Sequence, residues 1–165
     1  MENNSLQDFT TYIESLCTKH VEIRHQKADP RFIELNNEKQ LNAQKMQLYP
    51  LVALDKLTIS YGGQNDAMQK SRTVDLLFLD KAKQVGDYAE VQRIKNRMER
   101  VAEEFVIKIK IDSKDRVNYP FLRNLVIGSI ELNLIDNEGI NVHGALLSFS
   151  YELPFTESIE AGRFK

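Results

Sequence analysis

The residues able to carry chemistry in this chain are three histidines, one cysteine and a short run of carboxylates. His20 and His25 stand five positions apart, about 500° around a helix, so they do not share a face and make poor joint metal ligands. His143 follows a turn and has no ligand-spaced neighbour, and the spacing predicts surface histidines. Cys17 and His20 could form a thiolate nucleophile, yet nothing in sequence supplies an orienting third group or an oxyanion donor. Gly62-Gly63 lacks the Lys-Ser/Thr or Gly-x-Gly-x-x-Gly context of a phosphate loop, and turn chemistry accounts for it. Glu99, Glu103 and Glu104 share a helix with Arg93, Arg97 and Arg100, where ion pairing explains them. An acid/base pair there would need desolvation that a wet helix face does not provide. The expectation is a non-enzymatic chain with no catalytic, cofactor or metal site.

Composition narrows the class further. The chain has 165 residues, 42% apolar and 28% charged, which fits one globular domain with a real core. Its formal net charge is −2 and its pI is near 6.0, so no basic excess exists to neutralise a phosphate backbone. Lys81, Lys83, Arg93, Lys95, Arg97 and Arg100 do cluster. Asp80, Asp87, Glu90, Glu99 and Glu103 interleave with them, which suits a solvated helix face or a salt-bridged subunit contact better than a nucleic-acid stripe. A single cysteine excludes an internal disulfide and points to a reducing compartment. The polar start, MENNSLQDFTTY, lacks a signal-peptide layout, and no apolar run is long enough for a membrane helix. The sequence therefore reads as soluble and not secreted by the usual route.

These side chains would be positioned by two helices and two pairs of strands. Phe9, Ile13, Leu16 and Cys17 recur at helical spacing after a potential cap at Ser5. Val91, Ile94, Met98, Val101, Phe105 and Ile109 form a longer stripe that predicts a helix to about Lys110. A short helix over Asn37–Met46 is a weaker expectation. Leu51–Tyr61 places Leu57, Ile59 and Tyr61 inward, and Arg72–Leu79 does the same for Val74, Leu76 and Phe78. Leu122–Ile135 and Asn141–Leu153 form the second pair across the turn Asp136-Asn137-Glu138-Gly139, with Gly139 suited to positive φ. Gly128, inside its strand, predicts a bulge or a close approach of another backbone. Arg31–Leu35 predicts a short edge strand.

The layered solution is an α+β domain over residues 1–155, with residues 156–165 as a tail. It contains a mostly antiparallel four- to five-stranded sheet with helices on one face. An arm-like segment over about 24–47 and a long Gly62–Ser71 loop would reach towards neighbours. Ala145, Leu147, Phe149, Tyr151 and Leu153 lie under the helices. The other face is expected to carry Thr58, Ser60, Thr73, Asp75, Ser129, Glu131, Asn133, Ser148, Ser150 and Glu152, a polar and mildly acidic wall.

Three motifs add a resemblance. They are Tyr49-Pro-x-Val-Ala-Leu54, then D-x-x-K-x-x-G-D-Y over 80–88 leading into Ala102-Glu-Glu-Phe105, then G-x-x-x-S-F-S-x-E-x-P-F over 144–155. Together, over roughly residues 48–155, they resemble small tail-assembly proteins of tailed bacteriophages and prophages of Bacteroides-type hosts, and within that group the tail terminator or neck-ring proteins. The resemblance implies a tail-terminator-like fold and a structural virion protein. It would form a homo-oligomeric ring, six- or twelve-fold, assembled in the bacterial host cytoplasm and placed at the neck or tail top. Such a ring joins the portal and connector to the tail or ends tail growth. The polar wall would then line a lumen through which DNA passes without sequence-specific binding, and Arg93, Arg97 and Arg100 would serve contacts between subunits. No membrane is involved. The alternative is a small protein-binding adaptor that uses the polar face or an edge strand.

Overall fold

The computed structural model describes residues 6–35, 48–63, 68–122 and 124–153. Helix α1 spans Leu6–Lys19, and strand β1 spans Phe32–Glu34. Strands β2 (Leu51–Gly62) and β3 (Gln69–Lys81) form an antiparallel hairpin. Helix α2 runs from Tyr88 to Asp112, and a single 3-10 turn, Pro120–Leu122, leads into β4 (Leu125–Asn137) and β5 (Val142–Leu153). The five strands form one sheet in the order β1-β2-β3-β5-β4. Every pairing is antiparallel except β1 with β2, so the sheet is mixed and the class is α+β. Among the described residues, no helix is long and apolar enough to cross a membrane.

The long helix starts and stops where its chemistry dictates. The Asp87 carboxylate accepts from the Glu90 backbone N–H at 3.0 Å, which caps the first turn. From there Ile94, Met98, Val101, Ala102, Phe105 and Ile109 bury one stripe against the sheet. Phe9 of α1 completes the layer by lying on Phe149 and Tyr151, with ring centroids 6.1 and 5.5 Å apart. The alternating segment Phe105–Ile111 is helix, because its apolar residues continue the stripe of the turns before it.

Several expectations change. The cap at Ser5 and the helix at Asn37–Met46 lie outside the described residues. Of the expected arm over 24–47, residues 24–35 pack onto the domain. His25 and Phe32 are buried there, and β1 pairs with Val52–Leu54. The hairpin strands run on to Gly62 and from Gln69, which shortens the expected Gly62–Ser71 loop, and residues 64–67 lie outside the description. Positive φ at the β4–β5 turn belongs to Asn141 (φ 56). Asn tolerates that conformation, and here its Nδ2 also donates to Ala82 O at 2.8 Å. The bulge predicted at Gly128 is present, as a register shift between Val126 and Glu131. A second bulge, between Leu54 and Lys56, was not predicted. It resets the phase of β2, so that Val52 and Leu54 before it and Leu57 after it all face the helices.

One charged side chain is buried on the helix side of the sheet. Arg72 lies in phase with Val74, Leu76 and Phe78 on the helix side and is only 6% exposed. Among the described residues its Nε and Nη1 have no hydrogen-bond partner, and its guanidinium lies beside the buried hydroxyl of its cross-strand neighbour Tyr151. Burial pushes the Tyr151 phenol up, and the nearby guanidinium opposes that rise. Unpaired buried donors cost more than an apolar replacement of similar shape. Arg72→Met is therefore expected to stabilise the domain by about 1–3 kcal/mol, read by urea denaturation.

Candidate functional site

The face of the sheet turned away from the helices is built row by row from the strand register. Thr58 stands opposite Thr73, and Thr73 opposite Ser150; Asp75 stands opposite Ser148, and Ser148 opposite Glu131. Ser60, Ser71 and Glu152 form the next row out. Within these rows the hydroxyls serve one another. The Thr73 and Ser150 hydroxyls are 2.8 Å apart, and Ser148 Oγ donates to Asp75 Oδ1 at 2.6 Å. Polar atoms paired in this way offer few free donors to a passing anion.

Two corrections limit this wall. Ser129 belongs to the bulge, where its hydroxyl donates to Val126 O at 2.7 Å and accepts from Ser150 N at 2.8 Å. It thus mends the interrupted ladder instead of lining a surface. At the other end of the sheet the same face is apolar and sealed. Leu51, Leu79 and Val142 are buried there, packed with Ile33, Tyr49, Leu77, Ile135 and Ile140. Asn133 sits at the boundary, in the row with Leu146 and Leu77. The polar wall therefore occupies only the outer half of the sheet. The sequence carried the signal: Leu51-Val-Ala-Leu54 and Leu76-Leu-Phe-Leu79 are apolar at four consecutive positions, as strands buried on both faces are.

The expected intersubunit charges are largely engaged within the chain. Arg97 Nε donates to Glu22 Oε2 at 2.6 Å and its Nη1 to Asp80 Oδ2 at 3.1 Å, while Arg100 Nη2 reaches Glu22 Oε1 at 2.5 Å. Arg93 has no ion pair among the described residues, and its Nε donates to Ala89 O. The hydrogen bond from Arg97, helped by Arg100, holds the Glu22 carboxyl below its ordinary range. Asp80 moves the other way, because its burial outweighs Arg97. A carboxyl held low when folded stabilises fully above its unfolded value and loses that contribution as pH falls through the carboxylate range. Glu22→Gln should therefore make the acid limb of a Tm-versus-pH curve shallower. Unchanged steepness would show that the pair does not couple to folding.

The three histidines are not surface residues in the expected sense. His25 is buried, and its Nδ1 accepts from the backbone N–H groups of Arg31 and Phe32 at 3.0 and 3.1 Å, while Nε2 faces Glu14 Oε1 at 3.2 Å. His20 is fixed by Glu104 at 2.8 Å and by the Glu22 backbone N–H at 3.2 Å. His143 is 4% exposed, with Nδ1 2.7 Å from Asp136 Oδ1 and Nε2 3.2 Å from Asn141 Oδ1. Lys95 pairs with the second oxygen of Asp136, and a cavity of about 300 Å³ opens beside this group, also lined by Tyr88, Val91 and Glu138. Lys95 and His143 hold the Asp136 carboxyl low. Both nitrogens of His143 face acceptors, so neither is turned to the cavity to relay a proton.

A larger cavity, about 370 Å³, lies between α1 and the Val117–Phe121 segment. Two of its lining residues, Tyr12 and Lys108, donate to the buried Asp112, from Oη at 2.9 Å and from Nζ at 2.6 Å. Burial raises the Tyr12 phenol, and the hydrogen bond to Asp112 adds to the rise. Cys17 is buried, which pushes its thiol up and away from nucleophilic use. His20 points to Glu104 instead of to Cys17. No group of His, Cys, Asp and Glu able to hold a metal occurs among the described residues. No family model, curated protein or solved structure matches the chain.

Proposed function

We propose that this chain is a structural ring protein of a tailed-phage neck or tail top, with DNA passing through its lumen. The observation that supports the reading best is the outer half of the open sheet face. Its serines, threonines and acids are exposed or half-buried, satisfy one another across strands, and present few cations. Duplex DNA binds proteins mainly through phosphate neutralisation, so a wall on which Asp75, Glu131 and Glu152 outnumber Lys56, which stands opposite Asp75, repels the backbone and lets it slide. The sealed inner half, around Leu51 and Leu79, would stiffen each subunit without touching the channel. Arg97 and Arg100 are engaged within the chain, so they contribute little to association between subunits.

Electron microscopy of the purified protein, alone and with purified tails, tests this reading. Closed rings with a hole wide enough for duplex DNA are the expected result. A protein that stays monomeric in both preparations would remove the proposal.

A further inference from the structure

We infer a binding site for a small aromatic carboxylate in the cleft between α1 and the Val117–Phe121 segment. It lies on the helix side, away from the polar wall, and does not rest on the ring reading. The cavity of about 370 Å³ there has the size of a pocket for one small organic molecule. A second hollow of about 190 Å³ adjoins it, with Phe105 and His20 in its lining, and Leu16, Lys19 and Lys108 belong to both. Two cations therefore stand where the hollows meet. The rest of the larger lining divides into a polar strip and an aromatic one. Thr11, Ser15 and Lys19 follow one another at four-residue steps, so two hydroxyls and an ammonium run down one face of α1. Beside them Tyr12 lies edge-on to Tyr119 and to Phe121, with ring centroids 5.2 and 5.7 Å apart. A flat ring suits that wall, because aromatic groups favour edge-to-face and offset contacts.

The charges set the head group and its direction. Lys19 is exposed and has no ion pair among the described residues. Lys108 gives one N–H to the buried Asp112, and an ammonium carries three donors. Two cations against that one carboxylate leave a positive charge unanswered at the junction, and an incoming carboxylate answers it with charge-assisted hydrogen bonds. The other acidic groups of the two linings lie elsewhere. Asp8 precedes Lys19 by eleven residues, roughly 16 Å along the helix. Glu104 is held by His20 at 2.8 Å. The acid end of the ligand thus goes to Lys19 and Lys108, and its ring goes to Tyr12, Tyr119 and Phe121.

Calorimetric titration of the full chain with phenylacetate tests the assignment. Saturable binding is expected. Phenethyl alcohol, which keeps the ring without the charge, and hexanoate, which keeps the charge without the ring, should each bind about tenfold more weakly or worse. Lys19→Gln should weaken phenylacetate by about tenfold and keep the melting temperature, because the position is exposed. Thr11→Trp, also at an exposed position, should fill the cleft and abolish binding. Absence of saturable binding, equal affinity for the alcohol or for hexanoate, or undiminished affinity in either variant would overturn the site. Each of those results leaves the ring reading standing, since electron microscopy decides that separately.

Discussion

Gly144→Ala is expected to cost roughly 3 kcal/mol or more, at the upper end of what overpacking does. Gly144 lies in the middle of the sheet, with Leu79 of β3 on one side and Ile135 of β4 on the other. A Cβ added there would stand 1.8 Å from the carbonyl oxygen of Phe78 and 2.9 Å from its carbonyl carbon. Those are backbone atoms of a paired strand, so no rotamer change can make room. Relief requires β3 and β5 to separate along a ladder that runs from Lys70 to Lys81. Gly62→Ala and Gly128→Ala serve as controls, since a Cβ at either meets nothing within 4 Å. Both are expected within about 0.5 kcal/mol of wild type. Urea denaturation of the three variants reads the difference, and a Gly144 variant as stable as its controls would show that the strands are less closely apposed than described.

Much of this architecture was legible because side-chain period reports the buried face directly. The stripe from Val91 to Ile109 predicted α2 nearly to its last turn, and Val74, Leu76 and Phe78 predicted the inward face of β3. Failures occurred where a local irregularity or a long-range neighbour decided the outcome. Ile59 and Tyr61 have the phase of core residues and are nonetheless 44% and 57% exposed, because the hairpin extends past the helices that would cover them. Periodicity fixes orientation and says nothing about where the cover ends. The parallel pairing of β1 depends on a connection that β1's own residues do not encode. Gly144 and Gly128 look alike in sequence, yet one is pressed against a neighbouring strand and the other faces open space.

The candidate wall was readable in part for the same reason. Nine of its ten residues fall on the predicted face, and the exception, Ser129, was displaced by the bulge that Gly128 had announced. What the sequence reading missed was the depth of burial behind the wall. Of the apolar quartets in β2 and β3 only Leu76 and Phe78 were given a face, although four consecutive apolar residues must supply both. His25 and His143 were likewise read as surface groups, since their partners, Glu14 and Asp136, come from distant or turn-separated positions. A lone histidine carries no mark of the neighbours that will satisfy it.

Burial on both faces can be measured with two adjacent residues. Phe78 points to the helices, where its ring meets Phe105 of α2 at 4.9 Å and 75°. Its cross-strand neighbours, Val52 and Ala145, are small, so truncation leaves a cavity they cannot fill. Phe78→Ala should cost about 3–5 kcal/mol. A double-mutant cycle with Phe105→Ala should return a coupling of about 0.5–1.5 kcal/mol, the edge-to-face share of that loss. Leu79 points the opposite way, into the smaller cluster with Leu51 and Val142, and is 2% exposed. Leu79→Ala should cost about 2–5 kcal/mol. An open second face would make that substitution nearly silent, and the polar wall would then extend the full length of the sheet. A loss comparable to that of Phe78→Ala confines the wall, and any channel it lines, to the outer rows around Thr73, Asp75 and Ser148.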